Sequence, residues 1–84
     1  MIDRLRKEID RVDSQILKLI AKRMKAAKKI GIFKKKNNMK IVDLKREKEL
    51  LSKISSKAKR LRLNNIFTTN LFKTIIKESR KQQK

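Results

Sequence analysis

Apolar residues recur along the first third of the chain in steps of three and four: Ile2, Leu5, Ile9, Val12, Ile16 and Leu19, then Ala26 and Ile30. That alternation marks a helix face with a seven-residue repeat. Arg23 occupies the place between Leu19 and Ala26 where another apolar side chain is expected. The pattern predicts a helix from Ile2 or Asp3 to about Lys36, ended by the turn signal Asn37-Asn38. A second helix is predicted from about Lys40 to Lys59, with Leu44, Leu50, Leu51, Ile54 and Ala58 on its apolar side. Leu61 to Leu63 form the next connection, and Asn64 or Asn65 suits the N-cap of a third helix. That helix carries Phe67, Leu71, Phe72, Ile75 and Ile76, and its stripe continues into Ser79 and Gln83. With no Pro, one Gly and no sustained period-two alternation, the chain reads as all-α.

Helix lengths carry the reading further. About 34 residues at 1.5 Å each make a first helix about 50 Å long, against about 30 Å for each of the others. The short pair cannot cover the whole first stripe unless one packs beyond the other. A second copy of the same seam covers it better, so an intertwined antiparallel homodimer is expected. The 84 residues are read as a single domain, 1–84, whose own core is marginal.

The residue types that are missing exclude much chemistry. Without Cys there is no disulfide and no thiol nucleophile, and without His the usual metal ligand and neutral-pH base are gone. No cofactor and no metal are expected. The longest apolar cluster, Ile16 to Ala21, is interrupted by Lys18 and far too short for a bilayer. With no leader pattern at the start, a soluble, cytoplasmic protein is expected. The net charge of +19 points to polyanions, yet Lys and Arg are spread along the chain, with no Tyr or Trp and three Phe to stack on bases. Nucleic-acid binding is thus expected to be non-specific at most. The charge instead steers a small anion inward at low salt. Its self-repulsion predicts a fold that gains stability as salt rises toward physiological strength, while anion binding weakens.

Register sorts the cations. Arg23 and Lys34 are eleven residues apart, about three turns, so they share a face with about 16 Å between them. Lys34 continues the face of Arg23, Ala27 and Ile30, whereas Lys35 and Lys36 turn away by about 100° and 200°. Arg6 lies about 25 Å from Arg23 along the axis and is rotated by roughly 100°. It cannot join the same site within one subunit, but in an antiparallel dimer it could complete the partner's. Asp43, Arg46 and Glu47 stand at i, i+3 and i+4 and are expected on one helix face. Taken alone, they could also form a surface ladder of ion pairs with Lys48.

Leu5-Arg6, Ile9-Asp10, Val12-Asp13, Ile16-Leu17, Leu19-Ile20, Arg23, Ile30-Gly31, Lys34, Asp43-x-x-Arg46-Glu47, Leu50-Leu51, Leu71-Phe72-x-x-Ile75-Ile76 and Ser79-x-x-x-Gln83 together resemble the all-helical (AroQ-type) chorismate mutases. The resemblance covers nearly the whole chain. It implies a three-helix subunit that dimerises through its first helix and converts chorismate to prephenate by a Claisen rearrangement, in aromatic amino-acid biosynthesis. A concerted pericyclic step needs no nucleophile, metal or proton transfer. The site must instead fold a dicarboxylate into a chair-like shape and stabilise charge on the breaking ether bond.

The resemblance also implies roles. Arg6 of the neighbouring subunit and Arg23 would clamp carboxylates. Lys34 would hold a carboxylate and the ether oxygen, and Gln83 would donate to the same oxygen. Glu47 would accept from the substrate hydroxyl, with Asp43 lining that side through its backbone. Arg46 would support a carboxylate or fix Glu47, and Ser79 would bind a carboxylate. Lys34, Gln83 and Glu47 are the catalytic candidates. Only Lys84 follows Gln83 in the sequence, so a loose helix end and a reduced turnover are expected there. Two other classes compete: an isochorismate-pyruvate lyase on a similar scaffold, and a basic helical module that binds nucleic acid. The intact Asp43, Arg46 and Glu47 argue against the lyase. Lys34→Ala separates the third class, because one lysine among many is nearly redundant on DNA.

Overall fold

The computed structural model describes residues 1–84. It has three helices and no strand: α1 (Ile2–Lys36), α2 (Leu44–Arg60) and α3 (Asn65–Gln83). The first helix has the expected bounds, and at 1.5 Å per residue its 35 residues account for nearly all of the 55 Å long axis. The second starts four residues later than the apolar pattern suggested. Asp43 is its N-cap, with a side-chain oxygen accepting from the Arg46 N–H at 3.0 Å. A capped start satisfies an orphan donor of the first turn, and it outweighs the apolar character of Ile41 and Val42 just before it. Asp43 therefore stands at the mouth of α2 rather than inside it, which corrects the expectation of one shared helical face. Asn64 caps α3 in the same manner, accepting from the Phe67 N–H at 2.9 Å.

Both α1 and α2 end in the same way. Met39 N–H donates to the Lys34 carbonyl and Asn38 N–H to that of Lys35; Leu63 and Arg62 repeat the pattern on Ala58 and Lys59. Each turn places one residue in the left-handed region, Asn38 at φ 53° and Arg62 at φ 57°. Asn tolerates that conformation better than Arg does.

In the packing, α3 is the middle element: it lies against both α1 and α2, and the main chains of those two stay apart. The small interior is built from Ala27 and Gly31 of α1, Ala58 of α2, and Thr68, Ile76 and Ser79 of α3. Only these six residues are buried, and no large side chain is fully enclosed. Every residue from Met1 to Leu19 is exposed, including the whole apolar series Ile2, Leu5, Ile9, Val12, Ile16 and Leu19. Phe67 and Leu71, expected on the packed side of α3, are exposed as well. The radius of gyration, 15.7 Å, exceeds the roughly 12 Å of a compact chain of this length. No helix is long and apolar enough to cross a membrane.

Candidate active site

The second half of α1, the start of α2 and the end of α3 enclose a cavity of about 300 Å³. Its polar lining consists of Arg23, Lys34, Asp43, Arg46, Glu47, Ser79, Arg80 and Gln83, and Ala26, Ala27, Ile30, Ile41, Leu50 and Ile76 complete the wall. Arg23 and Lys34 share this cavity, as their three-turn separation requires.

Each cation is held differently. Arg23 reaches across from α1, and its Nη1 donates to Ser79 Oγ on α3. Ser79 is buried and donates in turn to the Ile75 carbonyl at 2.9 Å, so its hydroxyl orients the guanidinium. Burial and the nearby Arg46 cation together lower the Arg23 pKa from its ordinary value. Arginine nevertheless stays charged, so the cavity carries positive charge that an anion would relieve. Lys34 Nζ donates to the Ile41 carbonyl at 2.6 Å and to Gln83 Oε1 at 2.9 Å. An ammonium has three N–H groups, which leaves one for a ligand. Gln83 is bound through its carbonyl oxygen and keeps its NH₂ as a donor.

Gln83 belongs to the last turn of α3 and is half-buried. The looseness expected at this end is countered by close packing on Gly31. A Cβ at Gly31 would stand 2.5 Å from the Gln83 carbonyl oxygen and 2.6 Å from its Cα. Only a residue without a side chain lets the two main chains approach so closely. Sequence reasoning missed this role, although a lone glycine inside a long helical pattern is a signal for it.

Glu47 is also held from another element. Arg80 of α3 donates to both of its oxygens, Nε to Oε2 at 2.9 Å and Nη2 to Oε1. This bond raises the Arg80 pKa from its ordinary value. The carboxylate is thus fixed by Arg80 rather than by Arg46, one of the two roles the sequence left open for that residue. Nor does it join a ladder with Lys48: the chain has two ion pairs, Arg80 with Glu47 and Arg6 with Asp3. Arg46 directs its charge at the cavity without a hydrogen-bonded partner of its own, and the Asp43 side chain is occupied in capping. Arg6 lies on the exposed half of α1, outside this cavity, with 70% of its side chain in solvent. No group of acidic side chains could hold a metal ion.

The family model for chorismate mutase type II matches residues 5–84. The chain belongs to that family. Among relatives, a chorismate mutase of Methanocaldococcus jannaschii is 33% identical over 87 residues, covering the whole of this chain and 88% of the relative. The bifunctional chorismate mutase/prephenate dehydratase of Buchnera aphidicola subsp. Schizaphis graminum is 44% identical over 79 residues, 94% of this chain. That of Aquifex aeolicus is 50% identical over 60 residues, 71% of this chain. The chain spans about a fifth or less of the length of these two bifunctional relatives, 20% and 15%. Membership in the chorismate mutase family bears out the resemblance drawn from the spaced motifs.

Proposed function

We propose that this chain is a chorismate mutase that rearranges chorismate to prephenate within aromatic amino-acid biosynthesis. The supporting observation is the convergence of Arg23, Lys34 and Arg46 with Glu47, Ser79 and Gln83 on one cavity. Three cations suit a dicarboxylate, one neutral donor suits an ether oxygen, and one carboxylate suits a hydroxyl. None of these groups has to gain or lose a proton, as befits a concerted rearrangement.

Arg23 takes one carboxylate through its planar fork, and Arg46 adds positive charge beside it. Ser79 keeps Arg23 aimed, and to donate to the same carboxylate its hydroxyl would turn from the Ile75 carbonyl. The free N–H of Lys34 and the NH₂ of Gln83 meet on the ether oxygen. As the C–O bond lengthens, negative charge grows there, and donors already in place stabilise it without reorganisation. Glu47 accepts from the substrate hydroxyl and fixes which face of the ring is presented. Asp43 closes that side through its main chain.

Within one chain the second carboxylate has the charge of Lys34 nearby, and Arg6 of a second copy completes its clamp. The exposed series from Ile2 to Leu19 is where that copy packs, as an antiparallel homodimer through α1. Each subunit then lends Arg6 to the other's cavity.

The test follows loss of chorismate absorbance with the purified protein and its Arg23→Ala variant. Saturable conversion to prephenate is expected. In the variant kcat/KM should fall by about a hundredfold or more, the scale of losing one charge-stabilising donor. A helical protein that converts nothing, or a variant as active as the parent, would sink the proposal.

A further inference from the structure

Arg80 stands one residue beyond Ser79, about 100° around α3 from the stripe that faces α1. It lines the cavity and grips Glu47 with Nε and Nη2 together. Both side chains are partly withdrawn from solvent, 35% and 19% exposed. This is the one ion pair that ties α2 to α3.

The cavity gives this grip a purpose beyond holding two helices. Glu47 is the only carboxylate in the lining that is not engaged in capping, and it shares the space with Arg23, Lys34 and Arg46. Those cations attract any carboxylate within reach, that of Glu47 as well as a ligand's. A Glu47 free to swing inward would neutralise them and compete with the ligand. The Arg80 fork holds it against the wall instead. A carboxylate offers about four lone-pair positions, and a two-point guanidinium contact uses two of them. One remains on each oxygen, in a plane that Arg80 sets.

We propose that Arg80 is a positioning residue for this site: it prevents Glu47 from quenching the anion-binding cations and aims its unused lone pairs at the substrate hydroxyl. The inference rests on reading Glu47 as the hydroxyl acceptor. Lysine is a poor substitute, because it supplies charge without the fork.

Steady-state kinetics with chorismate on Arg80→Ala, Arg80→Lys, Glu47→Ala and the double variant Arg80→Ala/Glu47→Ala provide the test, with helical content checked by circular dichroism. Arg80→Ala should raise KM and lower kcat/KM by about ten- to a hundredfold. Arg80→Lys should fall between it and the parent. The double variant should have a lower KM than Arg80→Ala alone, because removing the unheld carboxylate frees the cations, and its kcat/KM should match that of Glu47→Ala. If the two single losses multiply in the double variant, Arg80 acts independently of Glu47 and the proposal is overturned, while the role of Glu47 stands. If Glu47→Ala keeps the parent's kcat/KM, the acceptor reading fails and takes the proposal with it. Should Arg80→Ala not fold, the same comparison runs with Arg80→Lys on the Glu47→Ala background, where any remaining loss overturns the proposal.

Discussion

At the scale of single residues, Gly31 shows how a site depends on an atom that is not there. Replacing glycine by alanine in a helix interior ordinarily stabilises by about 1 kcal/mol. Here the new methyl would strike the main chain of Gln83, and overpacking of this kind costs about 1–3 kcal/mol. The clash is with main chain and meets or outweighs the gain, so stability should fall by up to about 2 kcal/mol and the change should appear in catalysis as well. Gly31→Ala is expected to shift the end of α3 and carry the Gln83 amide away from the ether oxygen. In the proposed mechanism that contact strengthens only as the bond breaks, so kcat should fall about tenfold with KM changed less than about twofold. Stopped-flow or steady-state assays beside a thermal melt would check both halves of this expectation. Arg23, Lys34, Ser79 and Gln83 were legible in the sequence because helical periodicity alone places them on the facing stripes of α1 and α3. Arg80 was not, since it lies off that stripe and its partner is 33 positions away on another helix. No local pattern encodes such a pairing.

At the scale of elements, the two helix ends can be compared directly, since both close with the same pair of hydrogen bonds. Asn38 fills the left-handed position of the first and Arg62 that of the second. A residue with a Cβ pays about 1–2 kcal/mol there, and glycine pays almost nothing. Arg62→Gly should therefore stabilise the fold by about 1 kcal/mol, seen as a rise in melting temperature of about 4–8 °C, with kcat/KM unchanged. Asn38→Gly should gain less. The start of α2 was misjudged for a related reason. Ile41 and Val42 extend the apolar pattern, but hydrophobicity does not report where a helix begins; the cap does. Asp43 could have been recognised as that cap, since Asp before a leucine-rich run is a start signal. The same aspartate was also the first member of a suggestive charge cluster, and that second meaning hid the first.

At the scale of the whole molecule, six buried residues leave the apolar series of α1 in solvent, and the proposed second copy would cover it. The proposed exchange of Arg6 predicts complementation between two defective chains. Arg6→Ala and Arg23→Ala should each be inactive alone. Mixed under conditions that let subunits exchange, they form hybrid dimers in which one of the two cavities has both arginines. If half the dimers are hybrids, activity should recover to about a quarter of the parent's. Mixtures that stay inactive although sedimentation shows exchange would exclude a shared site. The proposal of a second copy draws on helix lengths as well, because a stripe of about 50 Å outruns its short neighbours.

α1 and α2 both pack on α3 while their main chains stay apart, which would give a ligand bound between them a mechanical role. On the proposed reading, chorismate gripped by Arg23 and Lys34 on one side and by Arg46 and Glu47 on the other would supply the missing third side of the triangle. Its binding energy then adds directly to cohesion between helices, by about 2.7 kcal/mol at a hundredfold excess over Kd. Amide hydrogens in the first turns of α2 and the last turn of α3 should exchange with solvent markedly more slowly when an unreactive dicarboxylate analogue is present. In this view the substrate acts as a brace, and each turnover briefly loosens the protein that performed it.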